Sequence, residues 1–86
     1  MHRFEHKIKD PNGLHARPAG LFVRCAQQCG SEVSVSKAGA GPVNAKHLFS
    51  VMGLGACGGD VITVTAEGPD EVSDAEKLRS FCEANI

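Results

Sequence analysis

Residues 10–19 read Asp10-Pro11-Asn12-Gly13-Leu14-His15-Ala16-Arg17-Pro18-Ala19. Two kinds of local structure meet in this run. Asp10 to Gly13 is a turn cluster, with Gly13 suited to a positive φ. Beyond it, Ala19, Phe22, Val23 and Ala26 recur at i, i+3, i+4 and i+7, the spacing of one helical face. Pro18 is tolerated only in a first helical turn, where its missing N–H has no partner to lose. The helix therefore begins at residue 15 or 16, and Gly30 is expected to stop it. On the other side of the turn, residues 3–9 place Phe4 and Ile8 on one parity, as in a half-buried strand. His2 and His6 share that parity and are read as solvated, because no Cys lies near them in sequence to complete a metal site.

The rest of the chain continues the alternation of the two periods. Residues 32–37 alternate cleanly, with Val33 and Val35 facing one way. Ala38 to Pro42 reads as a flexible turn and Val43 as the start of a short strand, giving a hairpin. Ala45 to Leu54 reads as a short helix of about two turns, ended by Gly53 or Gly55. Gly58-Gly59-Asp60 makes a turn, and residues 61–66, Val-Ile-Thr-Val-Thr-Ala, form the strongest strand. Gly68-Pro69-Asp70-Glu71 starts a last helix, with Val72, Ala75, Leu78 and Cys82 as its apolar stripe. The order β-α-β-β-α-β-α predicts an α+β fold, a two-layer sandwich with helices on one face of a mainly antiparallel sheet.

Composition bounds the function. The chain has 86 residues, 42% of them hydrophobic and 22% charged, which predicts one domain, 1–86, with one modest core. Nine basic and ten acidic residues leave a net charge of -1, against bulk electrostatic binding to nucleic acid or an anionic membrane. No apolar run approaches the ~20 residues needed to span a bilayer, and no signal-peptide core is visible at the N-terminus, so a cytoplasmic location is expected. A small binding or carrier protein is expected rather than a self-sufficient enzyme. The four Cys, at 25, 29, 57 and 82, form no C-x-x-C and are read as reduced. Cys25 and Cys29 would lie one helical turn apart, but the residues are read as small buried hydrophobes.

His15 is where chemistry is expected. A His at a helix start breaks the usual capping preference for Ser, Asp, Thr or Asn. Free N–H groups and the positive end of the helix dipole favour an anion there. A phosphorylated imidazole would gain from that field, and the same field would keep a ring nitrogen unprotonated and able to attack phosphorus. Arg17 offers a fork suited to phosphate. Spacing alone equally admits a surface His beside an unrelated, solvated Arg. In the second segment, Leu48, Phe49, Val51, Met52 and Leu54 are more apolar side chains than one face of two turns can bury, so some must be exposed. They admit a partner-docking patch, or core packing with the odd exposed residue.

Together these stretches resemble the HPr family, the histidine-containing phosphocarriers of the bacterial phosphoenolpyruvate-dependent sugar phosphotransferase system. The resemblance rests on Pro11 to Ala19, on Ala45-Lys46, Leu48-Phe49 and Gly53-Leu54-Gly55, and on Ala66-Glu67-Gly68. It implies an open-faced β-sandwich of four antiparallel strands with three helices on one face. It implies that His15 accepts a phosphoryl group on Nδ1 from phosphorylated Enzyme I and passes it to a sugar-specific EIIA domain. Arg17 would assist charge handling, and the N–H groups of Ala16 and Arg17 would lie over the phosphate. Leu48, Phe49 and Met52, with Gly20 and Arg24, would form the docking patch for both partners. The resemblance implies no cofactor, no metal, no membrane insertion and a monomer. The protein would be a stoichiometric carrier and not itself an enzyme.

Two departures from the family pattern stand out. Where many members carry a regulatory Ser before Leu-Phe, this chain has His47, which offers no hydroxyl and is read as a surface residue. The Ala38–Pro42 hairpin is one residue longer than usual. Two other functions are compatible with the sequence: a regulatory paralogue that binds partners in a phosphorylation-dependent way, and a Cys/His metal-binding protein.

Overall fold

The computed structural model describes residues 1–14 and 16–86. Its elements are β1 (His2–Lys7), α1 (Ala16–Gln27), β2 (Glu32–Lys37), β3 (Ala40–Asn44), α2 (Leu48–Gly53), β4 (Val61–Glu67) and α3 (Glu71–Asn85). The predicted order holds. The strands form one sheet in the order β1-β4-β2-β3, with every neighbouring pair antiparallel. Strand alternation assigns its faces. Phe4, Val33, Val35, Ile62, Val64 and Ala66 are buried towards the helices, and Arg3, Glu5, Lys7, Glu32 and Glu67 are exposed on the other side. Val64 sits opposite both Phe4 and Val35 in register, so the core is centred on β4, the strand read as strongest.

α1 buries Ala19, Phe22, Val23 and Ala26, the predicted stripe. It ends at Gln27 rather than at Gly30. The N–H groups of Gln28 and Cys29 turn back to the carbonyls of Cys25 and Ala26, tightening the last turn before the glycine is reached.

Four other expectations are corrected. β3 starts at Ala40, where the sequence reading placed a turn to Pro42. Gly39 and Gly41 take φ of +82° and +85°, and a Cβ on Gly41 would lie 3.0 Å from the carbonyl oxygen of Val35, so glycine lets the two strands close immediately. α2 starts at Leu48, not Ala45. The N–H of Ala45 still pairs with the carbonyl of Val33, and the Asn44 side-chain oxygen accepts the Lys46 N–H at 2.9 Å, which holds residues 44–46 in a turn. The stripe of α3 begins with Asp74 and not Val72, which is exposed. His2 and His6 are half-buried on the helix-covered side of β1 rather than solvated, and the Nε2 atom of His6 is buried there without a hydrogen-bond partner among the described residues.

Asp74 is only 6% exposed because its carboxylate accepts two bonds from Ser31, from the hydroxyl at 2.6 Å and from the backbone N–H at 3.0 Å. The Ser31 hydroxyl is the main reason its pKa lies below the ordinary carboxylate value, and burial opposes it. A depressed folded-state pKa stabilises the fold above the unfolded value, about 3.9, and that contribution is lost as pH falls through the folded value. Asp74→Asn is expected to cost about 1.5–3 kcal/mol at pH 7, the range for a charge-assisted bond. In urea melts, the gap from the parent protein should shrink below pH ~4. A gap that stays constant down to acid pH would show that the ionised carboxylate is not what holds Ser31.

Candidate functional site

His15 lies outside the described residues, and its neighbours on both sides define its setting. α1 begins at Ala16. As the first two helical residues, Ala16 and Arg17 have N–H groups with no acceptor inside the helix. Pro18, the third, has no N–H to offer. The first turn carries no acidic residue and does carry Arg17, which is exposed. A cation at the positive end of a helix opposes the dipole, so this turn forgoes local stability and concentrates positive potential beside residue 15. A cleft of about 240 Å³ opens at this first turn, lined by Asp10, Arg17, Pro18, Leu21 and Asn85.

The loop ahead of α1 is held from two sides. The carbonyl of Ile86 accepts the N–H groups of Lys9 at 2.7 Å and Asp10 at 3.3 Å. Asp10 accepts the Asn12 N–H through its side chain and the Gly13 N–H through its carbonyl, both at 2.9 Å. Across from this turn runs the segment joining α2 to β4. The carbonyl of Ala56 accepts the Leu14 N–H at 3.0 Å. Gly13 takes the predicted positive φ, +63°, and a Cβ there would lie 2.2 Å from the Ala56 oxygen. Gly58 faces the loop in the same way, since its Cβ would meet the Asp10 carbonyl oxygen at 2.8 Å and Pro11 Cα at 2.9 Å. Contact of backbone on backbone therefore shapes residues 10–14. The sequence reading gave residues 56–60 no part in the site. Gly58-Gly59 in a turn was the available signal, but it says nothing about which loop lies opposite.

Of the apolar residues around α2, Val51 and Leu54 are buried, Met52 is half-buried, Leu48 is 37% exposed and Phe49 is 85% exposed. The excess of apolar residues over one helical face is thus resolved by turning Phe49 outwards. α2 packs on α1, and Gln27 Nε2 donates to the Lys46 carbonyl at 3.0 Å between them. On α1, Arg24 is exposed and Gly20 is half-buried, with open space where a Cβ would stand. Leu21, 39% exposed, was missed by the sequence reading. It lies off the Ala19–Phe22–Val23–Ala26 stripe, which was the usable signal. His47 is exposed, occupies the N-cap position of α2 and makes no side-chain capping bond.

Burial makes three of the four thiols poor nucleophiles. Burial raises the pKa of Cys25 and Cys29 and pushes that of Cys82 up to about 12, while Cys57 is exposed. Among the described residues no three His, Cys, Asp or Glu side chains are grouped so as to hold a metal ion. Among them, too, no helix is long and apolar enough to cross a membrane. A second hollow, about 560 Å³, is bordered by Glu32, Asn44 and Glu67 on the sheet and shares no residue with the cleft at Arg17.

The family model described as "PTS HPr component phosphorylation site" matches residues 2–84. The chain belongs to the HPr family. The phosphocarrier protein HPr of Buchnera aphidicola subsp. Acyrthosiphon pisum is 45% identical over 78 residues, 91% of either chain. The HPr-like protein Crh of Halalkalibacterium halodurans is 42% identical over 77 residues, 90% of either chain. Among solved structures, HPr from Thermoanaerobacter tengcongensis superposes with a TM-score of 0.92 at 39% identity, covering 99% of this chain and 94% of that one. The α+β architecture described above is therefore the HPr fold, and its helix-covered, open-faced sheet is the one that the resemblance implied.

Proposed function

We propose that this HPr-family chain is a cytoplasmic phosphocarrier, a single working domain over 1–86, monomeric, with His15 as its phosphoryl acceptor. Nδ1 of His15 attacks phosphorus on phosphorylated Enzyme I, forming a P–N bond as the donor's P–N bond breaks. Attack on the same phosphorus by an imidazole of an EIIA domain reverses the exchange on the far side. The protein is consumed and regenerated as a stoichiometric substrate, so it is a carrier rather than an enzyme. Ala16 and Arg17 offer N–H groups to the phosphoryl oxygens, and the Arg17 guanidinium balances their charge. In-line transfer between two imidazoles leaves little covalent work to side chains, so positioning and electrostatics carry it. The observation that carries this reading is the start of α1: Ala16, exposed Arg17 and Pro18, with no acid in the turn, directly following His15 in sequence.

Gly20, Arg24, Leu48, Phe49 and Met52 are the docking surface in this reading. An exposed Phe contributes to binding and almost nothing to the core. Phe49→Ala is expected to raise the KM for phosphoryl acceptance roughly tenfold, as for an aromatic interface anchor, with the thermal midpoint unchanged. A drop in midpoint with KM unaltered would place Phe49 in the core and remove it from the patch.

The relative named HPr-like protein Crh favours a second reading, a regulatory module that binds partners according to its phosphorylation state. Intact-mass spectrometry at mildly basic pH separates the two after incubation with phosphoenolpyruvate and Enzyme I. A gain of one phosphoryl mass, reversed by brief acid and passed on to an EIIA domain, supports the carrier. A gain that is retained in the presence of EIIA supports the regulatory module. No gain at all overturns the acceptor role of His15.

A further inference from the structure

We propose that Asp60 and Lys37 are positioning residues for phosphoryl transfer, acting through the 56–60 segment on the loop that leads into residue 15. The inference rests on the carrier reading above. Three backbone contacts join that segment to the loop and to Ile8, the residue that follows β1. Ala56 accepts the Leu14 N–H, the Gly59 N–H donates to the Ile8 carbonyl at 2.8 Å, and the Asp60 carbonyl accepts the Ile8 N–H at 2.9 Å. Gly13 and Gly58 fill the space between with backbone alone. Whatever fixes residues 56–60 therefore also fixes residues 8–14.

Asp60 and Lys37 supply that fixing. One Asp60 carboxylate oxygen accepts the Cys57 N–H at 2.9 Å, while the Asp60 N–H donates to the Cys57 carbonyl at 3.0 Å, closing the Gly58-Gly59 turn with a double clasp. The same oxygen faces the Lys37 ammonium at 3.5 Å. Lys37 Nζ also reaches the Gly55 carbonyl at 3.4 Å, so one side chain from β2 touches both ends of the turn. Lys37 is opposite Ile62 in register, on the helix-facing parity of the sheet, which directs its stem towards this turn. The Cys57 N–H is the leading cause holding the Asp60 carboxyl below its ordinary pKa, with Lys37 adding to it. Neither residue belongs to the proposed docking surface. Losing them should misplace the acceptor without weakening partner binding, and a misplacement near 1 Å can cost up to about a hundredfold in rate.

The test uses the full chain as phosphoryl acceptor from phosphorylated Enzyme I, with Asp60→Asn, Lys37→Met and Lys37→Arg. For Asp60→Asn and Lys37→Met, turnover should fall roughly tenfold with KM within about twofold of the parent, and Lys37→Arg should restore it. Amide exchange is read in parallel at Leu14 and, as a core reference, at Val64. Leu14 should exchange roughly tenfold faster in both impaired variants while Val64 is unmoved. Parental turnover together with parental Leu14 exchange overturns the proposal. So does equal acceleration at Leu14 and Val64, which would reveal general destabilisation only. If Asp60→Asn does not fold, Lys37→Met decides, since it leaves the Cys57–Asp60 clasp in place. If the parent protein accepts no phosphoryl group, the carrier reading fails, and Leu14 exchange alone judges whether these residues set the loop.

Discussion

His15→Ala is expected to abolish phosphoryl acceptance completely while leaving the fold within about 1 kcal/mol of the parent. The chemistry leaves no substitute. Among the histidines, only His15 immediately precedes the exposed turn formed by Ala16 and Arg17. His2 and His6 are on β1, half-buried against the helix layer, and His47 stands at the N-cap position of α2. The small stability change follows from the helix physics. A neutral imidazole is a weak starter of helices, and α1 is anchored by Ala19, Phe22, Val23 and Ala26. Intact mass after incubation with donor reads the first quantity, and a urea melt reads the second. A fully phosphorylated variant would move the acceptor to another residue and sink the assignment.

Gly13→Ala should be the most damaging single methyl group that can be added to this loop. It meets two penalties at once. A φ of +63° costs an L-residue of the order of 1 kcal/mol, and a Cβ placed 2.2 Å from the Ala56 oxygen forces the two backbones apart, about 1–3 kcal/mol more. For a domain of this size, a loss of roughly 2–4 kcal/mol lowers the thermal midpoint by about 10–30 °C. Gly59→Ala is the control. Gly59 has φ +92° with nothing within 4 Å of its missing Cβ, so only the conformational penalty applies. A midpoint for Gly13→Ala equal to that of Gly59→Ala would mean that the carrier loop and the 56–60 segment are not in contact.

The elements were legible where the apolar period was regular. The β4 run of β-branched residues and the α1 stripe could be read directly, because one periodic face against one core leaves few alternatives. Misreadings cluster where a polar side chain or a glycine competes with the period. Asn44 takes the Lys46 N–H and delays α2. Ser31 makes Asp74 a core residue and turns Val72 outwards. Gly39 and Gly41 pull β3 forward. Each is settled by a side-chain hydrogen bond or by a φ that periodicity does not encode. The candidate site divides the same way. His15, Arg17 and Pro18 lie within four residues and announce themselves. Ala56, Gly58, Asp60 and Lys37 reach the site only through the fold, and no local pattern ties them to it.

The facing glycines at 13 and 58 also bear on how portable the motif is. A peptide spanning residues 10–19 would keep the imidazole, the guanidinium and the proline, yet lose the surface against which its backbone is cast. Grafted alone onto another scaffold, those ten residues would carry their reagents without their geometry. A working transplant would have to move residues 56–60 with them, as the other half of a two-part mould.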